Sequence, residues 1–187
     1  MTRFGFGQRV ALDMFEESGG LMPSRDWKRQ RYRQPWYPGE TLILGIGQGY
    51  MQSTPLQLVQ ATALVASRGK WRRPHLARTV GGVPVVDPEP LPDIELKNPA
   101  HWEHARKAME AVVHGARGTA RKIGQDAPYR IAGKSGTAQV VAIKQGERYD
   151  RDKIQERHRD HALFIAYAPA EEPEIAVAVM VENGESG

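Results

Sequence analysis

The chain has 187 residues, enough for one domain with a core of its own, and its 40% hydrophobic and 26% charged content is ordinary for a globular protein. It has no cysteine, which excludes a disulfide framework and a thiolate metal site; no apolar run approaches the ~20 residues of a membrane span, and the first residues do not read as a signal peptide. The formal charge of +4 is modest. Much of it comes from Arg25, Lys28, Arg29, Arg31 and Arg33, interleaved with Trp27, Tyr32, Trp36 and Tyr37. That pattern is also what a nucleic-acid patch looks like, but no nucleic-acid fold signature accompanies it, so no nucleic-acid partner is expected.

Taken in order, Phe4, Phe6, Val10 and Leu12 are apolar at even spacing, which permits a strand or the end of a longer element. Residues 16–39 are rich in glycine, proline and charge and read as a long surface loop. An apolar run, Thr41 to Leu44, ends in a glycine-rich turn, Gly45 to Gly49. A helix follows: Thr54 is a natural N-cap, Pro55 suits the first position, Leu58, Ala61, Thr62 and Val65 recur at helical spacing, and Gly69 supplies the stop. His75 to Val80 reads as a short strand and Val83 to Pro92 as a surface connection.

The clearest helix is capped by Asn98, opened by Pro99 and ended by Gly115, with Trp102, Ala105, Met109, Val112 and Val113 as its buried face. Gly118-Thr119-Ala120 begins a short helical turn to Ile123. A strand around Ile131 to Val140 comes next. Lys144 to Asp160 has no apolar period and reads as a mobile loop. Two strands close the chain, His161 to Ala168 and Glu174 to Val181, joined through Pro169 to Pro173 as a hairpin. Helices followed by consecutive strands predict an α+β fold, an antiparallel sheet with packed helices.

Chemistry concentrates in Ile131-Ala-Gly-Lys-Ser-Gly-Thr-Ala-Gln-Val140. Glycine inside a strand marks close approach of a ligand or another backbone. Gly133 and Gly136 bracket Lys134-Ser135, so an edge strand here offers bare amides, one ammonium and the hydroxyls of Ser135 and Thr137. That set suits an anionic, peptide-like ligand ending in a carboxylate; a solvated edge strand is the plain alternative. His101/His104 and His158/His161 are each three apart, a spacing that can bind zinc. No further ligand clearly completes either pair, so no metal or cofactor is expected.

Lys134-Ser135-Gly136-Thr137 resembles the lysine–(Ser/Thr)–glycine motif of penicillin-recognising serine acyltransferases. The run to Val140 is similar to the form in class B penicillin-binding proteins. Gly45-Ile-Gly-Gln-Gly-Tyr50 leading into Thr54-Pro-Leu-Gln-Leu58, then Gly118-Thr119-Ala120, then Val181-Glu-Asn-Gly184 resemble other stretches of that family, in its order. Met22-Pro-Ser-Arg-Asp-Trp-Lys28 with Pro35-Trp36-Tyr37 is similar to its elongation branch, penicillin-binding protein 2.

The resemblance implies a penicillin-binding/β-lactamase-like transpeptidase fold, with residues 1–187 as the C-terminal portion of one transpeptidase domain. It implies acyl transfer from D-Ala-D-Ala stem peptides in cell-wall cross-linking during elongation. Stem peptide, β-lactams and the elongation machinery are the implied partners. The implied location is the periplasmic face of the bacterial inner membrane, through an anchor not in this chain.

It also implies roles. Lys134 supplies positive charge and a link towards a second motif, Ser135 and Thr137 bind the ligand carboxylate, the Thr137 N–H is an oxyanion donor, and Gly136 leaves room for the ligand. The family's nucleophile motif, Ser-x-x-Lys at a helix start, has one match, Ser67-Arg-Gly-Lys70, which falls at a helix end. Its second motif has one match, Ser24-Arg-Asp26, in the predicted loop. Both motifs, and the family's closing helix, are therefore expected outside this chain, which alone is expected to be inactive. A wall-peptide-binding module without chemistry is the alternative. The expectation for isolated residues 1–187 is exposed apolar surface on the helices at Thr54 and Asn98.

Overall fold

A computed structural model describes residues 1–140 and 155–185. The chain divides into two compact units, Met1–Lys97 and Asn98–Gly187.

The first unit is built on helix α3, Pro55–Ala66, whose start is as the sequence predicts. Thr54 Oγ1 accepts from Gln57 N at 3.1 Å, and Gln57 Oε1 accepts from Thr54 N at 3.1 Å, a reciprocal capping box followed by proline at the first position. At the other end Gly69, at φ +90°, donates its N–H to Leu64 O at 2.7 Å and stops the helix.

The buried face differs from the predicted one. Of the four expected residues Thr62 is buried, while Gln57, Gln60 and Leu64 share the interior with it. Gln57 is fully buried because its Nε2 donates to Gln8 O at 2.8 Å and Gly19 O at 2.7 Å. A satisfied amide takes the place an apolar side chain would have held.

Residues 16–39 are not one long loop. They contain helix α1, Arg25–Tyr32, and lead into α2, Pro38–Gly45. Ser24 caps α1, its Oγ accepting from Trp27 N at 3.1 Å. Lys28 is 1% exposed; its Nζ donates to Glu40 Oε1 at 2.5 Å and sits 4.3 Å from the Tyr37 ring centroid. Trp27, Tyr32 and Tyr50 pack with centroids 5.2–5.6 Å apart. An ion pair and three rings hold this helix, so its sequence lacks the apolar stripe that would announce it.

Two strand expectations are also corrected. Residues 2–12 form a 3-10 turn, Thr2–Phe4, and then an irregular pass, because the Val10 and Ala11 N–H groups bond to the Glu17 carboxylate at 2.9–3.0 Å instead of a ladder. The strand expected from His75 is limited to β1, Thr79–Val80, paired with β2, Val83–Pro84, across Gly81-Gly82. Leu76 and Ala77 donate instead to the Asp13 carboxylate at 2.8–3.0 Å. Those bonds, the Ala77 one first, hold the Asp13 carboxyl below its ordinary pKa.

The second unit is an antiparallel three-stranded sheet in the order β3-β4-β5, with helix α4, Ala100–His114, packed against β3. The strands are Ala132–Ala138, His161–Ala168 and Ile175–Val181, close to the predicted spans. Asn98 Oδ1 accepts from Ala100 N at 3.0 Å, and Gly115 ends α4, as expected. Trp102 and Val113 are buried, and so is Arg106. Its Nη2 donates to Ala170 O at 2.8 Å and Glu171 O at 3.3 Å, and its guanidinium lies 5.6 Å from the Tyr167 ring centroid. The short helix α5, Arg121–Gly124, follows the Gly118-Thr119-Ala120 turn. The fold is α+β.

Most of the stretch expected to be mobile, residues 144–154, lies outside the described residues. Its described end is held. Asp160 is buried, its carboxylate accepting from Val140 N at 3.2 Å and its carbonyl from Glu185 N at 2.8 Å. The large exposed apolar side chains are not those of α3 and α4. Leu42 (76%) and Ile43 (47%) on α2, Ile46 (77%) just after it, and Ile175, Val177 and Val179 on β5 are among those that carry that surface, with Phe15 (84%) the most exposed.

Candidate active-site strand

Strand β3 lies at one edge of the sheet, paired on one side with β4. Ser135 stands opposite Phe164, Lys134 opposite Ile165, Gly136 opposite Leu163 and Thr137 opposite Ala162. The two-residue period puts Gly133, Ser135 and Thr137 on one face and Lys134 and Gly136 on the other. On a regular strand Lys134 leaves on the face opposite Ser135 unless the backbone twists. The register stays regular from 132 to 138, and the side chain makes the turn instead. Its Nζ donates to Ser135 O at 2.6 Å and to Ser135 Oγ at 3.5 Å. An ammonium and a hydroxyl thus converge at an exposed edge, which favours an anion.

The two glycines of β3 do different things. A Cβ on Gly133 would come within 2.7 Å of the Phe164 ring and 2.9 Å of Ile165 O, so the ring lies directly on it. A Cβ on Gly136 would meet Leu163 Cβ at 3.5 Å, an ordinary contact. The fold needs the first glycine; it leaves the second open.

Both ends of the strand are anchored by groups that sequence reasoning missed. His114 Nε2, at the end of α4, accepts from Ile131 N at 2.9 Å, and Ala170 N donates to Arg130 O at 2.8 Å. Arg130 pairs with Glu110 of α4. A histidine at a helix end carries no periodic signal, and its partner is a backbone N–H 17 residues away. At the far end are the Asp160 bonds and His161 Nδ1, which accepts from Asn183 N at 3.0 Å. His161 is therefore a structural acceptor. His101 and His104 have ring centroids 6.4 Å apart on α4, and among the described residues no group of three His, Cys, Asp or Glu is arranged to hold a metal.

The other two motif matches are structural. Ser67 sits at the C-terminal end of α3, its Oγ donating to Lys70 O at 3.1 Å. Ser24 caps α1, not a loop position as expected. A cavity of about 380 Å³ opens on the Ser135 side, lined by Gly118 to Ile123, Ser135 and Phe164.

A family model described as the penicillin binding protein transpeptidase domain matches residues 1–187. Peptidoglycan D,D-transpeptidase MrdA of Haemophilus influenzae is 44% identical over the whole chain, which spans 29% of that protein. The solved structure of Pseudomonas aeruginosa PBP2, in complex with WCK 5153, is 64% identical with a TM-score of 0.88, over all of this chain and 38% of that one. Helicobacter pylori PBP2, solved in complex with MreC, is 32% identical with a TM-score of 0.80, over 98% of this chain and 31% of that one. This chain belongs to the penicillin-binding protein transpeptidase family, in the branch that includes PBP2.

Proposed function

We propose that this chain supplies the substrate-carboxylate strand of a peptidoglycan D,D-transpeptidase, and that its two units are the C-terminal portion of one transpeptidase domain. The carrying observation is the edge strand on which the Lys134 ammonium reaches the Ser135 hydroxyl beside the open Gly136. In this reading the carboxylate of a D-Ala-D-Ala stem peptide accepts from Ser135 and Thr137, with Lys134 supplying charge. The Thr137 N–H stabilises the oxyanion as a serine attacks the penultimate carbonyl; one such backbone donor contributes on the order of 3 kcal/mol in the transition state. The terminal D-alanine leaves, and an amine from a neighbouring peptide takes the acyl group.

In this reading the serine is not Ser67, which sits at the C-terminal end of α3 with its hydroxyl donating to Lys70 O, and is supplied by the rest of the protein. β-Lactams acylate the same serine. The MreC complex of the H. pylori relative supports the elongation machinery as partner. The periplasmic face of the inner membrane is the matching location. Among the described residues no helix is long and apolar enough to cross a membrane.

The test is covalent labelling. A fluorescent penicillin labels the complete protein bearing this chain, labels a Lys134→Ala form far more slowly, and does not label residues 1–187 alone. A stoichiometric adduct mapped to a serine of this chain sinks the proposal. Binding of stem peptide by the complete protein without any acyl-enzyme would favour the second reading, a wall-peptide-binding module.

A further inference from the structure

We infer that the cavity beside Ser135 is an acceptor-side subsite, which holds an acidic group of the incoming amine peptide through Arg121 and Lys122. The inference rests on the transpeptidase reading above. The cavity has about 380 Å³, and Thr119, Arg121, Lys122, Ile123, Ser135 and Phe164 are among its walls.

Charge sets the kind of ligand. Arg121 and Lys122 are exposed, and among the described residues neither has an acidic partner; Arg121 Nη1 reaches Ala116 O at 3.4 Å. Among the described residues no carboxylate lines the cavity. Two uncompensated cations in a concave wall attract an anion, and a guanidinium matches a carboxylate's two oxygens. Ile123 and Phe164 add apolar wall suited to the methylene stem that carries the acid. Phe164 is held in place, with its ring lying on Gly133.

Position decides which peptide brings that acid. In the proposed roles the Thr137 N–H holds the oxyanion and the carboxylate lies at the Ser135 and Thr137 hydroxyls; the cavity is lined by Ser135 and not by Thr137, so it opens at the Ser135 end of that site. A donor peptide ends at its own carboxylate, so its chain does not extend past Ser135. Once the terminal amino acid has left, the amine peptide enters from that side. Its nitrogen bonds to the acyl carbon, the acyl–oxygen bond to the serine breaks, and the amine proton passes to the serine oxygen. The rest of the acceptor then continues past Ser135, where Arg121 and Lys122 stand.

The experiment measures how the acyl-enzyme partitions between aminolysis and hydrolysis. The complete protein is acylated with a labelled D-Ala-D-Ala depsipeptide. It is then given an amine peptide with a free side-chain carboxylate or the same peptide amidated. With Arg121→Glu/Lys122→Glu, the aminolysis-to-hydrolysis ratio for the acidic acceptor should fall by at least about fivefold, the scale of lost exposed charge pairs. The ratio for the amidated acceptor should hold or rise. Arg121→Ala and Lys122→Ala should each give a smaller drop in the same direction, and Arg121→Lys should keep most of the ratio.

No drop, or equal drops for both acceptors, overturns the inference. Failure of the charge-reversed protein to acylate also overturns it, by moving the pair to the donor side. An unsubstituted protein that forms no acyl-enzyme refutes the transpeptidase reading itself, an outcome distinct from acylation with unchanged partition.

Discussion

The two glycines of β3 allow fold and ligand binding to be separated by one added methyl group. At Gly133 the new Cβ would lie 2.7 Å from the Phe164 ring and 2.9 Å from the Ile165 carbonyl. The ring tip can swing, but the carbonyl belongs to the neighbouring strand, so β3 or β4 must shift. Overpacking of this kind costs about 1–3 kcal/mol. At Gly136 the Cβ would lie 3.5 Å from Leu163, and the residue is not at positive φ, so alanine fits. Replacing a strand glycine there should leave stability unchanged or raise it by roughly 0.5 kcal/mol. Urea unfolding of residues 1–187 should therefore show a lower midpoint for Gly133→Ala and an unshifted or higher one for Gly136→Ala. Penicillin acylation of the complete protein should reverse the order of harm: Gly136→Ala slows it severely while the fold stays intact. Gly136→Ala acylating at the wild-type rate would refute the assignment of that open edge to a ligand. Loss of its stability would refute the packing argument.

Further outcomes follow from other contacts. Thr137→Val keeps the backbone N–H and deletes a hydroxyl from the proposed carboxylate site; a hydrogen bond to a charged group is worth roughly 1.5–3 kcal/mol, so acylation should slow by about ten- to a hundredfold. An unchanged rate would remove that hydroxyl from the site. Gln57→Leu leaves Gln8 O, Gly19 O and Thr54 N without their partner, and should cost roughly 3–5 kcal/mol in chemical unfolding; a cost under about 1 kcal/mol would mean water replaces the amide. Asp13 and Glu40 both have lowered pKa values, through the Ala77 N–H bond first and the Lys28 bond first respectively. Their stabilisation is full above the ordinary carboxylate range near pH 4 and is lost as pH falls through the lowered values. Thermal midpoints measured from pH 7 to 2 should drop in that acid window, and less steeply in Asp13→Asn.

The second unit was legible because its cues are local. Asn98 with Pro99, Gly115, and apolar runs broken by Pro169 and Pro173 each fix an element within a few residues. The first unit hides its structure in side-chain-to-backbone bonds, some across a few residues and some across more than sixty. Glu17 takes two N–H groups that would have made the first segment a strand, and Asp13 takes two more from residues 76 and 77. Those bonds remove donors from any ladder, and nothing in hydrophobic spacing reports them. α1 was missed for the converse reason. Its interior residue is Lys28, paired with Glu40 twelve residues on, so a pattern search sees only charge.

At the site the legible part was the motif, and the illegible part was its support. Lys134, Ser135, Gly136 and Thr137 could be singled out through their resemblance to a family motif; their residue types alone also suit a solvated edge strand. Phe164 could not: in the sequence it is one apolar residue in an eight-residue strand. It becomes important because register sets it opposite Ser135 and because Gly133 leaves a bare backbone for its ring. Arg121 and Lys122 were equally silent, since a charged pair in a short helix is ordinarily solvated surface. The register sets Phe164 opposite Ser135, and both line the cavity that Arg121 and Lys122 also line. The motif thus marks the strand by its residue types, while the wall beside it is built by partners that only packing brings there.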